Sequence, residues 1–204
     1  MPPNTCTLIW EEPLTLPADT LRAEYYHPET LKPLCTVCEN YGCNYACPPL
    51  SLDVEALLRQ YAQAHLLAAR LRLPPTLPKE LLASLYVNAM AVFNRRLLAC
   101  EAAEAGSLAI APGHCTLCPR CARADGKPCP SPDRVRLSLD AFSLEIARLA
   151  SELFHFEIQW FNDRPPAYLT LIGGLLSMRP QIPKPEESWV FAGLEEAVAL
   201  PAGG

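Results

Sequence analysis

Eight of the ten cysteines fall into two quartets. Cys35, Cys38, Cys43 and Cys47 are spaced C-x2-C-x4-C-x3-C, and Cys115, Cys118, Cys121 and Cys129 are spaced C-x2-C-x2-C-x7-C. A C-x2-C step wraps a tight turn that brings two sulfurs to one centre, the arrangement metal sites favour. Two such steps in succession suit a cubane, because three closely spaced thiolates can each reach a different iron corner. The spacing points to two [4Fe–4S] clusters, with all eight cysteines as candidate metal and cofactor ligands. Zn2+ in two four-thiolate sites is the alternative, and such sites can stabilise loops that lack a core of their own.

How the eight partition stays open at this level. Proline follows Cys47, Cys118 and Cys129, which favours an extended backbone at each cysteine and throws the thiolate clear of the loop. In two-cluster ferredoxins the Cys-Pro cysteine ligates the other cluster. Each quartet can therefore close its own site, or Cys47 can complete the second and Cys129 the first. Gly126 is expected to let the seven-residue gap bend back.

The remaining candidates have plainer readings. Cys6 and Cys100 sit in a strand and on an apolar helix face, where a lone cysteine acts as a small hydrophobe. His114 adjoins Cys115 and reads as a loop residue, and His155 as a surface one. His27 and His65 show no partner. Tyr41 and Tyr45 flank Cys43, either shielding a cluster or packing the lobe. No P-loop, haem-attachment motif, G-x-G-x-x-G or Ser/His/Asp set is present. No catalytic residue is assigned.

These loops need a scaffold, and 204 residues suffice for one. The expected elements are a strand at Thr5–Trp10, a short helix capped by Ser51 or Asp53, and a half-buried strand from Leu67. A long amphipathic helix over Lys79–Ala105, stopped by Gly106, and the strand "SLAIA" follow. Beyond the second cysteine loop, "DAFSLEIARLASEL" reads as helix and "FHFEIQWF" as a strand with Phe156, Ile158 and Trp160 on one face. Asp163–Arg164 then lies in a turn, and "YLTLIGGLL" is a strand in which Gly173–Gly174 marks a bulge or close packing. The order β-α-β, cysteine loop, α-β-β gives an α+β fold, a small mixed sheet with helices on one face. Residues 1–178 are expected to form a single metal-binding domain, with an N-terminal cysteine lobe at 30–50 and the second loop at 113–131. A proline-rich tail, 179–204, carries one short helix in "GLEEAVAL".

The chain resembles a family of predicted metal-binding proteins, domain of unknown function 2284. The resemblance rests on Tyr41, Gly42, Cys47, Pro48 and Pro49, and more firmly on "G-x-C-x-L-C-x-x-C…DGKPC" at Gly113–Cys129. The "P-x-x-x-R-x-S-L-x-A-F" at Pro132–Phe142 completes it, over about residues 30–175. It implies a cysteine-rich, iron–sulfur-type metal protein. One departure is Ser143, Leu144 and Glu145, where relatives read glycine–aliphatic–aspartate.

The formal net charge of −5 argues against nucleic acid or an anionic membrane as partner. No signal peptide is recognised in "MPPNTCTLIWEEPL" and no apolar run spans a bilayer, so a cytoplasmic protein is expected. The leading functional expectation is electron transfer, as a carrier or redox subunit with a redox protein partner. Alternatives are an iron–sulfur enzyme with an open iron for a small substrate, and a zinc-stabilised interaction module.

Overall fold

Alternating apolar residues build the centre of the molecule. The computed structural model describes residues 5–75, 77–160, 166–185 and 191–199. In chain order the elements begin β1 (Thr5–Trp10), β2 (Leu14–Pro17), α1 (Ala18–Tyr25), α2 (Pro28–Thr36), α3 (Val54–Leu58) and β3 (Gln63–Arg72). They continue with α4 (Leu82–Ala102), β4 (Leu108–Ile110), α5 (Ile146–Arg148), β5 (Tyr168–Ser177) and β6 (Glu195–Ala199).

The sheet runs β4-β5-β3-β1-β6, with β2 beside β1 on the same edge of β3, and every strand pair is antiparallel. Period two sends Leu67, Ala69 and Leu71 of β3 to one face, where the Leu85, Phe93 and Leu97 stripe of α4 covers them. Ala64, Leu66 and Ala68 point the other way, against Leu21 of α1 and Leu58 of α3. The expected α+β class is what forms, but the sheet is antiparallel instead of mixed and helices cover both of its faces instead of one, α4 on one side and α1 and α3 on the other. β3 is consequently buried on both sides over most of its length. Gly173 is a close-packing residue: a Cβ there would lie 2.8 Å from the Ile110 carbonyl and from the Phe93 ring.

Asp53 is the cap of α3, accepting from Ala56 N–H at 3.0 Å. Three expectations fail locally. The predicted helix from Asp140 breaks at Ser143, which takes φ 56. Glu145 N–H there donates to Tyr25 O at 2.9 Å and Leu144 bridges Tyr26, so the segment is pulled against the end of α1. Residues 155–160 form no strand: His155 takes φ 59 and breaks the alternation, and Trp160 is 70% exposed. Asp163 and Arg164 lie outside the described residues.

The third concerns the tail, where the expected helix is instead β6, paired antiparallel with β1. A free strand edge offers that short segment a ladder, whereas an isolated helix of this length cannot offset its nucleation cost. Glu196 of β6 accepts from Trp10 Nε1 at 2.8 Å and from Arg96 Nε at 2.6 Å. Among the described residues, no helix is long and apolar enough to cross a membrane.

Candidate metal centre

The first loop is a chain of tight turns. α2 starts on Pro28, whose fixed φ suits a first helical position. Its last turn presents Cys35; Cys38 N–H then donates to Cys35 O at 3.1 Å, and Tyr41 N–H to Cys38 O at 3.0 Å. Gly42, at φ 70, reverses the chain and donates to Pro48 O at 2.8 Å, which returns Cys47 to Cys35 and Cys38. These three thiols line one cavity of about 410 Å³, together with Tyr41, His114 and Asp140. Cys43 is not on that wall. It lines a neighbouring groove with Asn44, His114, Cys115, Cys118 and Cys121.

The second loop closes on itself. Ala124 N–H donates to Cys121 O, and Gly126, at φ 67, reverses the chain so that Lys127 N–H reaches Ala122 O at 3.0 Å. Cys115, Cys118, Cys121 and Cys129 all line one narrow crevice of about 10 Å³, walled by Tyr45 and Leu117. Ser131 N–H donates to Cys129 Sγ at 3.4 Å, and the Leu117 backbone N–H favours the Cys115 thiolate against the burial that raises it. Backbone donors aimed at sulfur stabilise thiolate character and tune a bound cluster.

Asn44 and Arg123 weld the loops together. The buried Asn44 donates from Nδ2 to Cys115 O at 2.9 Å, while its Oδ1 accepts from Ala46 N–H at 3.0 Å and Cys115 N–H at 3.3 Å. Arg123 donates to the carbonyls of Asn44, Cys47 and Pro49 at 2.7–2.9 Å and lies over the Tyr45 ring. Tyr45 in turn donates to Lys127 O at 2.7 Å. The motif Pro132–Phe142 ties this unit to α4 and to Ala111, just after β4, whose N–H donates to Leu137 O at 2.9 Å. Arg136 Nε holds both Glu101 carboxylate oxygens at 2.8 Å, and Ser138 N–H donates to Ala46 O at 3.1 Å.

Of the two partitions, the structure brings together Cys47 with Cys35 and Cys38, and Cys129 with Cys115, Cys118 and Cys121. All ten cysteines are free thiols, and Cys6 and Cys100 are buried in the core. His155 is exposed, His65 is buried and hydrogen-bonded to Thr15 at 2.8 Å, and His27 contacts Glu24 O at 3.0 Å. Asn44, Arg123 and Asp140 were not singled out from sequence. Each sits inside a cysteine motif or the one that follows, but nothing in residue type marks it.

Burial raises three of the loop thiols. Burial pushes Cys47 up to about 12, and the neighbouring Cys38, Asp140 and Cys35 add to the shift while Arg123 opposes it. Cys35 and Cys115 are raised too, burial again being the main cause. Asp140 is exposed on the cavity wall, yet the protein crowded around it raises its carboxyl above the ordinary range. A metal cation inverts this balance by favouring thiolate.

The donor chemistry fits a soft metal or cluster. The second crevice offers thiols with no carboxylate or imidazole on its wall. Among the described residues, no three His, Cys, Asp or Glu side chains are gathered into a site for a single ion. The crevice is also narrow, so a cubane requires its thiols to swing apart.

No curated protein and no solved structure matches the chain. A family described as "Predicted metal-binding protein (DUF2284)" matches residues 25–177, from the end of α1 to the end of β5, and so includes both cysteine loops. The chain belongs to this family of predicted metal-binding proteins.

Proposed function

We propose that this protein binds two [4Fe–4S] clusters and transfers electrons, as a carrier or as the redox subunit of a larger assembly. The observation that carries the reading is the welding of two thiol-lined sites into one unit by Asn44 and Arg123. An interaction module needs no such proximity, whereas electron transfer between centres does. Clusters of this kind exchange single electrons over potentials of about −700 to +450 mV.

The chain's own residues supply the setting. Cys115, Cys118, Cys121 and Cys129 would hold one cluster, with the Ser131 N–H directed at the Cys129 sulfur. Tyr45 covers that crevice. Cys35, Cys38 and Cys47 would hold the other. Exposed apolar Val37 and Leu117 lie beside the two loops, where a redox protein partner would dock. Free thiols of this number suit a reducing compartment such as the cytoplasm.

A second reading places zinc at the second site, since four thiols and no carboxylate or imidazole line that crevice and its thiols would need to close on the ion. Iron, zinc and acid-labile sulfide measured on protein purified without oxygen separate the two. The proposal expects about eight irons and eight sulfides per chain.

A further inference from the structure

The two thiol sets differ in a way their spacing hides. Four thiols line the second crevice, but only three line the first cavity. Cys43 belongs to neither wall; it opens onto the groove on the other side of the loop. The cause is local. The Gly42 N–H to Pro48 O bond draws Cys47 back to Cys35 and Cys38, and Cys43 lies inside the loop this bond closes.

The first cavity is not a blind crevice. A second chamber of about 370 Å³ adjoins it, and Gly113, Asp140 and Trp160 line both. This second chamber falls within the ~300–1,000 Å³ that small-molecule sites occupy. α2 buries none of its own residues in the core; its Leu31 and Leu34 wall the first chamber instead. In the second chamber, Thr170 Oγ1 is buried without a hydrogen-bond partner among the described residues.

The lining also selects by charge. Among the described residues, Asp140 is the sole carboxylate on either chamber, no Lys or Arg lines them, and the one basic side chain, His114, is on the first chamber only. Tyr41, Tyr86 and Trp160 supply aromatic surface. A carboxylate beside aromatic faces attracts an organic cation and repels an anion.

We infer that the first cluster is held by Cys35, Cys38 and Cys47 alone, leaving one iron without a protein ligand, and that the second chamber, which adjoins it at Gly113, Asp140 and Trp160, binds a small amine with an apolar body. This rests on the two-cluster reading above and adds to it a ligand class and an assigned bystander, Cys43.

The test has two arms, both on full-length protein purified without oxygen. In the first, iron and sulfide are counted in single Cys→Ser variants. Cys43→Ser should keep about eight irons, whereas Cys35→Ser, Cys38→Ser and Cys47→Ser should each fall to about four. In the second, electron paramagnetic resonance of the reduced protein is recorded with phenylethylamine and with phenylacetate as probes. The amine should shift one cluster's signal and the acid should not. Asp140→Asn should weaken the amine about tenfold or more at unchanged iron content, and Trp160→Ala, at an exposed rim position, should weaken it as well.

Loss of a cluster in Cys43→Ser, or equal response to amine and acid, overturns the inference while leaving the two-cluster reading in place. Wild-type protein without iron and sulfide removes the two-cluster reading itself.

Discussion

Asn44 and Cys115 are joined by a reciprocal pair of hydrogen bonds, Nδ2 to the Cys115 carbonyl at 2.9 Å and the Cys115 N–H to Oδ1 at 3.3 Å. One buried amide thereby fixes the position of the first thiol of the second quartet relative to the last of the first. Removing the side chain strands buried backbone groups on both loops, since Ala46 N–H also depends on it. Asn44→Ala should lose ~2–3 kcal/mol of stability, and Asn44→Asp should recover only part by keeping the acceptor. Denaturant unfolding of the three proteins checks this.

Arg123 makes the same connection from the other loop. Its guanidinium serves three carbonyls with a planar fork that a lysine ammonium cannot reproduce. Arg123→Ala should lower the unfolding midpoint and the metal retained on gel filtration, and Arg123→Lys should restore less than half of either. A full recovery by lysine would mean that charge, and not geometry, is what the site uses.

Gly126 tests whether the return of Cys129 depends on backbone conformation. A Cβ at this position meets nothing within 4 Å, so Gly126→Ala introduces only the strain of φ 67. The expected cost is about 1–2 kcal/mol, with less for Gly126→Asn. Thermal unfolding of the metal-free proteins measures it directly.

Much of the scaffold was legible because it follows from periodicity. The alternation of β3 from Leu67 and the stripe of α4 each carry a repeat that only one element satisfies. The failures share a cause: tertiary partners overrode local pattern. Leu144 is drawn to Tyr26 and Glu145 to Tyr25, which breaks a plausible helix at Ser143. The tail becomes β6 because the edge of β1 is free to receive it. In the cysteine loops, spacing exposed eight thiols but could not show that Cys43 turns away, because a hydrogen bond between Gly42 and Pro48 decides it. Asn44, Arg123 and Asp140 were hidden for a similar reason. Their roles depend on partners 71 to 79 residues distant, or on a cavity assembled from several elements.

The raised thiols give the metal-free protein a definite pH dependence. Between pH 9.0 and about 12, Cys47 is protonated when folded and ionised when unfolded. The folded state binds more protons there, so stability falls as pH rises through that window. Cys100, pushed up to about 11, and Tyr86, to about 12, are raised by burial and act in the same direction. The unfolding midpoint of metal-free protein should drop on going from pH 8.5 to pH 11, and Cys47→Ser should flatten that drop.

The central claim is that both cysteine loops hold iron–sulfur clusters. Its most direct test is the count of iron, zinc and acid-labile sulfide per chain after purification without oxygen. The protein should be brown, with about eight irons, about eight sulfides and no stoichiometric zinc. A colourless protein carrying about two zincs, or no metal at all, would contradict it.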